Sequence, residues 1–288
     1  MLTGSVAFAT MAALAKALCE RWDWQLVAGV RAFLAFFFAL VLALIAGARL
    51  VVWRPPVLWF RSIVGSFSMV CSFYAFKHLL LSDVLTIANM FPIWVALLCW
   101  PLLHEFPSGS VWVSIASGIA GVCLIQQPHF AEGNLATLVM LAGSVFTALA
   151  MLGLNRLAYI DARAVVVHFS AVATLFCAAS FFLFPRDSTR ANTLDTHTLA
   201  LVLGMGVTAT AGQLCLTKAF TEGPPAKVSV VGLTQVVFAL AFDYHYFGAH
   251  FEWLTLAGMA LVLAPTAWLL LRPTKPAPLP PPTGPLNP

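Results

Sequence analysis

Charge is what this chain has least of: Asp, Glu, Lys and Arg make up 9% of its 288 residues, against roughly 25% in an ordinary soluble domain. With 61% of residues hydrophobic, too little polar surface remains to solvate a globular fold of this size. Long polar connections are also missing. The longest, Pro185 to His197, has 13 residues, which leaves no room for a catalytic module outside the apolar segments, so any function sits among them. No GxxxxGK[ST] occurs, and ATP is thereby excluded as an energy source within the chain. The six cysteines, Cys19, Cys71, Cys99, Cys123, Cys177 and Cys215, form no CxxC and no Cys/His group at metal-ligand spacing. They read as small apolar packing residues, and no metal or other cofactor is expected. His78, His104, His129, His168, His197, His245 and His250 are dispersed along the chain. Without a His-rich motif or paired Asp at Mg²⁺-binding spacing, a membrane-embedded enzyme has no cluster to work with at one interface.

What the chain does have is apolar length. Ten stretches of roughly 17 to 23 residues follow one another, each about what a helix needs to cross a hydrocarbon core of roughly 30 Å. They are predicted at 2–19, 25–47, 57–79, 84–103, 110–127, 134–153, 163–184, 198–220, 227–247 and 251–271. Inside lipid every backbone N–H and C=O is paired within its own segment, so spans of this length are helices. The expectation is an all-α integral membrane protein with ten transmembrane helices, and the lipid bilayer is its first partner. No basic region precedes the first apolar stretch, and Lys16 and Arg21 fall at its far end, so the first helix is expected to be retained rather than cleaved.

The net charge of +4 needs no nucleic-acid partner, because the positions of Lys and Arg explain it. An even number of spans puts both termini on one side. One set of connections carries Arg49, Arg54, Arg61, Arg156, Arg163, Lys218, Lys227, Arg272 and Lys275, and the other carries Arg21, Lys77, Arg186 and Arg190. Nine against four places both termini in the cytoplasm of a cell membrane, inner or plasma. Residues 272–288 are Pro-rich, form neither helix nor sheet ladder, and read as a disordered cytoplasmic tail.

The chain also aligns weakly with itself. At an offset of 144, Tyr74-Ala75-Phe76 meets Lys218-Ala219-Phe220 and Ser82-Asp83-Val84 meets Ala226-Lys227-Val228. The third and fourth helices thus correspond to the eighth and ninth. Five helices per half is an odd number, so the two halves, 1–127 and 134–271, enter the membrane in opposite directions as inverted repeats. In carriers of that architecture the substrate sits near the midplane between halves that rock against each other.

The run YAFKHLLLSDVLTIANMFPIWVALLCWPLLHE, Tyr74 to Glu105, followed by Gly121 to Ile125, resembles the EamA domain of the drug/metabolite transporter superfamily. An Ala-rich end of helix 3, a polar break, a Pro in helix 4, an acidic residue at its end and a Gly-Val closing helix 5 recur there in this order. Arg31 and the AGMALVLAP stretch of helix 10 extend the likeness over nearly the whole chain. The second half departs from the pattern, with Ala249 in place of the acid and Val236 in place of the Pro. The resemblance implies ten helices and carriage of small metabolites, with Glu105 in a structural or gating contact.

A charge near the bilayer centre costs at least about 2.5–3.5 kcal/mol, so each one kept there is a candidate site. Lys16, toward the outer end of helix 1, and Arg31, two turns into helix 2, either frame an anion-attracting opening or snorkel to the outer interface. Asp243 and His245, near the outer end of helix 9, are candidates for proton coupling. Two apart, they point to different helix faces, and a solvated helix end is the alternative. His168 reads as an interhelical hydrogen-bonder.

Neutral polar residues say more about a cavity, since ligand sites are mostly apolar with a few aimed polar groups. The candidates are Ser72 and Tyr74 in helix 3, Asn89, Pro92 and Trp94 in helix 4, Gln213 in helix 8, and Thr234 and Gln235 in helix 9. Ser68, Thr86, Thr208 and Thr217 accompany them. Asn89 and Gln213 carry full amides that an apolar bundle must satisfy, by substrate or by a neighbouring helix. Pro92 cannot donate to the Ala88 carbonyl and predicts a kink beside Asn89. The spacing of Gly118 and Gly121, Gly204 and Gly206, and Ala209 and Gly212 marks packing seams.

These residues point to a secondary carrier that moves a small molecule by alternating access, driven by a proton or by exchange. A solute with an aromatic or anionic part suits Trp94, Tyr74 and Phe91 beneath Lys16 and Arg31. The alternatives are a membrane enzyme and a non-transporting membrane subunit whose Pro-rich tail recruits an adaptor. A homodimer is compatible with this reading and not required by it.

Overall fold

The computed structural model describes residues 1–19, 21–53, 55–79, 81–104, 106–126, 135–183, 195–247 and 253–271, without the side chains of 76, 77, 81–83, 85, 242–247, 269 and 270. Twelve helices account for nearly all of these: α1 (Leu2–Cys19), α2 (Trp24–Ile45), α3 (Pro56–His78), α4 (Leu81–Ala88), α5 (Phe91–Leu103), α6 (Gly109–Gln126), α7 (Leu135–Asn155), α8 (Ala162–Leu183), α9 (Thr196–Glu222), α10 (Pro225–Gly232), α11 (Thr234–Phe247) and α12 (Trp253–Leu271). No strand occurs among the described residues.

Each of the ten predicted spans coincides with a helix or a pair of helices. Seven are long and apolar enough to cross a membrane, and three shorter apolar helices, Gly109–Ile125, Pro225–Ala241 and Trp253–Trp268, complete the set. The count of segments exceeds ten because the fourth span is divided into α4 and α5 and the ninth into α10 and α11.

Local chemistry explains the ends. Pro56, Pro92 and Pro225 stand in the first turns of α3, α5 and α10, where a missing N–H costs nothing and the fixed φ suits a helix start. α2 stops at Gly47, whose φ of +62° lets Ala48 N–H reach back to the Ala43 carbonyl at 2.9 Å, a capping turn open to glycine because it has no Cβ. α9 is capped by Asp195, whose carboxylate accepts from Thr198 N–H at 2.8 Å.

The two breaks share one geometry. Met90 N–H donates to Ile87 O at 3.1 Å and Ile93 N–H to Met90 O at 3.0 Å. In the second half, Leu233 N–H donates to Val230 O and Val236 N–H to Leu233 O, both at 3.1 Å. These tight turns interrupt the i→i−4 ladder and so divide the span. Met90 and Leu233 are 143 residues apart in this pairing (233 minus 90), one fewer than the sequence offset. By break geometry the counterpart of Pro92 is therefore Gln235, not Val236. The breaks also adjoin in space. The Phe91 ring reaches to within 3.5 Å of where a Cβ on Gly232 would stand, and Leu233 packs over Gly118 of α6.

The helices pack in recurring pairs: α3 on α7, α1 on α9, α2 on α8, α6 on α12, α3 on α8, α2 on α9, α1 on α11 and α5 on α7. The α6–α12 crossing brings two backbones face to face. A Cβ on Gly121 would stand 2.6 Å from the Gly258 carbonyl, and one on Gly258 2.7 Å from that of Gly121. Ser117 Oγ donates across it to Leu261 O at 3.0 Å. Close backbone approach of this kind is how helices gain contact where lipid offers no hydrophobic drive.

Two main cores lie toward opposite ends of the bundle. One gathers the start of α3 (Leu58), α5 along its length (Val95, Cys99), the end of α7 (Leu152, Leu154) and the end of α9 (Phe220). The other gathers Leu18, Trp22, Trp24, Val27, Met69, Phe73, Phe169 and Met205. Large apolar side chains such as Phe33, Phe37, Leu44, Phe182 and Leu203 are exposed on the outside, as a lipid-facing surface requires.

Candidate functional site

At the edge of the second core, α2, α3, α8 and α9 leave a narrow crevice of about 10 Å³, room for a single water, lined by Arg31, Ala32, Ala35, Met69, Phe169, Ser170, Ala173, Ala209 and Gln213. Alanines at 32, 35, 173 and 209 give it small apolar walls, so a modest parting of these helices is what would widen it. Two residues singled out in the sequence meet in this crevice, Arg31 and Gln213.

Arg31 is half-buried and points inward from α2. Its Nη1 donates to Met69 Sδ at 2.9 Å, a weak acceptor, and its enclosed Nε has no hydrogen-bond partner. Gln213 is 7% exposed, and no hydrogen bond engages its amide among the described residues. Both therefore bring unspent hydrogen-bonding capacity to an otherwise apolar wall, the composition of a ligand site.

A second arginine lies beyond the Phe169 wall of the crevice. Sequence counting treats Arg61 as a connection residue at the positive side; the structure puts it inside α3, 1% exposed. Its guanidinium carbon sits 3.8 Å from the centroid of the Phe169 ring. Glycines make the seat: a Cβ on Gly65 would come 2.9 Å from Phe169 Cε2, and one on Gly153 of α7 would come 3.2 Å from Arg61 Cβ. Arg61 Nε and Nη1 are buried without a hydrogen-bond partner, and among the described residues no carboxylate pairs with either arginine. A cation over a desolvated ring gains about 2 kcal/mol, less than the roughly 2.5–3.5 kcal/mol or more that a charge costs inside a membrane. The difference marks Arg61 as a functional candidate.

Next to Arg61, His168 Nδ1 and Ser62 Oγ are 2.8 Å apart, and the imidazole meets Trp59 edge to face at 4.6 Å. The interhelical hydrogen bond expected of His168 is thus made to α3. Its Nε2 is buried, with the Val52 backbone beside the ring.

The remaining candidates lie elsewhere. Lys16 is exposed on α1. Ser72 donates back to Ser68 O at 2.9 Å. Tyr74 packs on the second core with its ring 4.5 Å from His78. Asn89 is half-buried at the first break, and Pro92 is buried just after it. Trp94 Nε1 donates to Ser144 Oγ of α7 at 3.0 Å, against the first core. Phe91 packs on that core too, so Trp94 and Phe91 are parted from Tyr74. Thr234 is fully buried, its hydroxyl donating to Val231 O at 2.7 Å, and Gln235 is half-buried. Asp243 and His245 fall within α11 but their side chains lie outside the described residues, as do Glu105 and the tail 272–288.

On the side carrying the start of α3, Asn155 Nδ2 donates to Phe220 O at 3.3 Å, joining α7 to α9, and Arg156 Nη2 donates to Leu102 O at the end of α5. On the other side Arg21 reaches Asp195 at 3.4 Å and Thr198 Oγ1 at 3.1 Å. Hydrogen bonds from the Thr198 side chain and then its backbone, with the nearby Arg21 charge, hold the Asp195 carboxyl down to about 2.

Comparison with known proteins agrees with this architecture. The model of the EamA-like transporter family matches residues 1–127 and 134–271. A pseudopaline exporter, CntI, of Pseudomonas aeruginosa is 27% identical over 76% of this chain and 76% of its own. An uncharacterized transporter of Helicobacter pylori is 28% identical over 71% of this chain and 70% of its own. Solute carrier family 35 member G1 of mouse is 25% identical over 75% of this chain and 61% of its own. A solved crystal structure superposes with a TM-score of 0.77 over 93% of this chain and 98% of the other at 18% identity, a likeness of fold.

Proposed function

From membership of the EamA-like transporter family, to which this multi-pass membrane protein belongs, we propose that it is a secondary carrier moving a small organic solute across the cell membrane by alternating access of two five-helix halves. The observation that carries this reading is the crevice where Arg31, with an unpaired Nε, and the amide of Gln213 face an apolar wall. It lies between helices of both halves, α2 and α3 from one and α8 and α9 from the other. That is where the site of an inverted-repeat carrier belongs.

The packing supports the inverted repeat. If each span is exchanged for the one five places on, α3 on α7 becomes α9 on α1, α3 on α8 becomes α9 on α2, and α7 on α5 becomes α1 on α11. The pairs α2 with α8 and α6 with α12 map onto themselves. The paired breaks at Met90 and Leu233 follow the same exchange. Broken helices beside a central crevice give each half a place to bend, and Asn89, Pro92, Thr234 and Gln235 stand at those places. The distribution of Lys and Arg favours cytoplasmic termini, and likeness to an exporter favours outward movement. Proton coupling through Asp243 and His245, and exchange of one solute for another, both remain compatible drives.

The test is uptake of a mixed metabolite pool by proteoliposomes holding the purified protein, read by mass spectrometry with and without an imposed pH gradient. Selective accumulation of one chemical class is expected, and its response to the gradient separates proton coupling from exchange. No accumulation by folded protein under either condition contradicts the reading.

A further inference from the structure

Two guanidinium groups stand in the interior without a carboxylate between them, and one aromatic ring separates them. Phe169 lines the crevice that Arg31 enters, and the same ring lies against Arg61 at 3.8 Å. Arg61 and Met69, the residue that Arg31 touches, are eight residues apart on α3, which is about 12 Å along the helix axis. Arg31 is placed two turns from the α1–α2 end of the bundle and Arg61 less than two turns from the opposite end of α3, so the two divide the membrane depth between them.

A guanidinium offers a planar fork of donors that matches a carboxylate or a phosphate. Interior arginines that serve structure are paired with acids or with backbone carbonyls, because an unpaired buried charge is strongly destabilising. Here the partners are a methionine sulfur, a weak acceptor that takes one donor of Arg31, and a phenyl face, and neither fills the fork. The unspent donors, Nε of Arg31 and Nε and Nη1 of Arg61, and the alanine lining of the crevice together specify the missing partner: a small organic anion with an apolar body and one oxyanion group.

Resting on the carrier reading above, we propose that the solute is such an organic anion, and that Arg31 and Arg61 are consecutive stations for its oxyanion, one on each side of Phe169. With the ring seated on Gly65 the second station is shut, and Arg61 is held by the aromatic face alone. When the halves move and the ring leaves Arg61, the oxyanion takes its place, so a weaker contact is exchanged for an ion pair and the charge never lacks a partner on its way. His168, hydrogen-bonded to Ser62, adjoins the second station.

The full chain in phosphatidylcholine nanodiscs is tested by thermal shift with millimolar benzoate and phenyl phosphate, against neutral benzamide and cationic benzylamine. Benzoate or phenyl phosphate is expected to raise the midpoint, and benzamide and benzylamine are not. Arg31→Gln abolishes the shift. Arg61→Gln keeps it, because the first station is intact, yet lowers proteoliposome uptake of the anions that wild type accumulates by at least about tenfold, the loss expected on removing a charge-assisted contact. Equal shifts with benzoate, phenyl phosphate and benzamide, or accumulation of only neutral or cationic solutes by wild type, overturns the proposal and leaves the carrier reading standing. Those two wild-type results decide against it even where Arg61→Gln does not fold. An anion-specific shift with no uptake of any solute overturns the carrier reading and the second station with it.

Discussion

Arg61 of α3 and Phe169 of α8 form a cation–π pair at 3.8 Å in the bundle interior, at the boundary between the two main cores. Exchanging each for a neutral or aliphatic residue, Arg61→Gln and Phe169→Leu, singly and together, measures what the pair is worth. A coupling of about 0.5–2 kcal/mol is expected from equilibrium unfolding in detergent. Additive effects would mean that the ring and the charge merely adjoin.

The α6–α12 crossing depends on two glycines. Gly121→Ala places a methyl 2.6 Å from a backbone carbonyl, which neither helix can yield without separating, so a loss of about 1–3 kcal/mol is expected. Gly29→Ala on α2 meets only Cys177 Cβ at 3.9 Å and gains up to about 1 kcal/mol from the alanine's helix preference. Opposite signs of the midpoint shift in thermal unfolding check the pair. A neutral Gly121→Ala would show that this crossing is looser than drawn.

Pro92 is predicted to matter for movement more than for stability. It occupies the first turn of α5, where proline is tolerated, so Pro92→Ala changes stability by less than about 1 kcal/mol. With the missing N–H restored, α4 and α5 can join into one helix, and uptake by proteoliposomes should slow while thermal stability holds. Unchanged uptake would remove the break from the transport cycle.

Asp195 makes stability pH-dependent on the Arg21 side. Its carboxyl is held down to about 2 in the folded protein, below its unfolded value of roughly 3.9. The folded state thus favours the ionised form, and the stabilisation is present above pH 4 and lost as pH falls toward 2. Asp195→Ala should lower the melting midpoint at pH 7 and flatten its dependence over that window. Asp195→Asn, a good helix cap itself, should retain most of the midpoint at pH 7 while losing the same pH dependence.

The helices were legible because lipid imposes one solution on a long apolar segment, and the predicted limits 2–19, 110–127 and 163–184 agree with α1, α6 and α8 to within a residue or so. The first break was legible too, since Pro92 announces it. The second was not: Leu233 has no proline beside it, and its turn arises from how α10 meets α5 and α6. Arg31 and Gln213 were identifiable as polar groups that an apolar span must account for, although their meeting required the tertiary fold. Arg61 was missed because it is the fifth residue of the span 57–79, whose approach is rich in basic neighbours. The signal was the stripe Arg61, Gly65, Ser68 and Ser72, spaced three and four apart and so on one helix face, a polar line that a lipid-facing helix would not carry. Conversely, Trp94 was separable from Tyr74 only by the structure, because its indole is committed to Ser144 on α7.

The most direct test of the central claim is uptake by wild type, Arg31→Gln and Gln213→Ala in matched proteoliposomes, using the solutes that wild type accumulates and confirming equal amounts of folded protein by thermal unfolding. A carrier whose site is the crevice between α2, α3, α8 and α9 loses uptake in both variants while remaining folded. Uptake at the wild-type rate in both would place the solute's path elsewhere in the bundle.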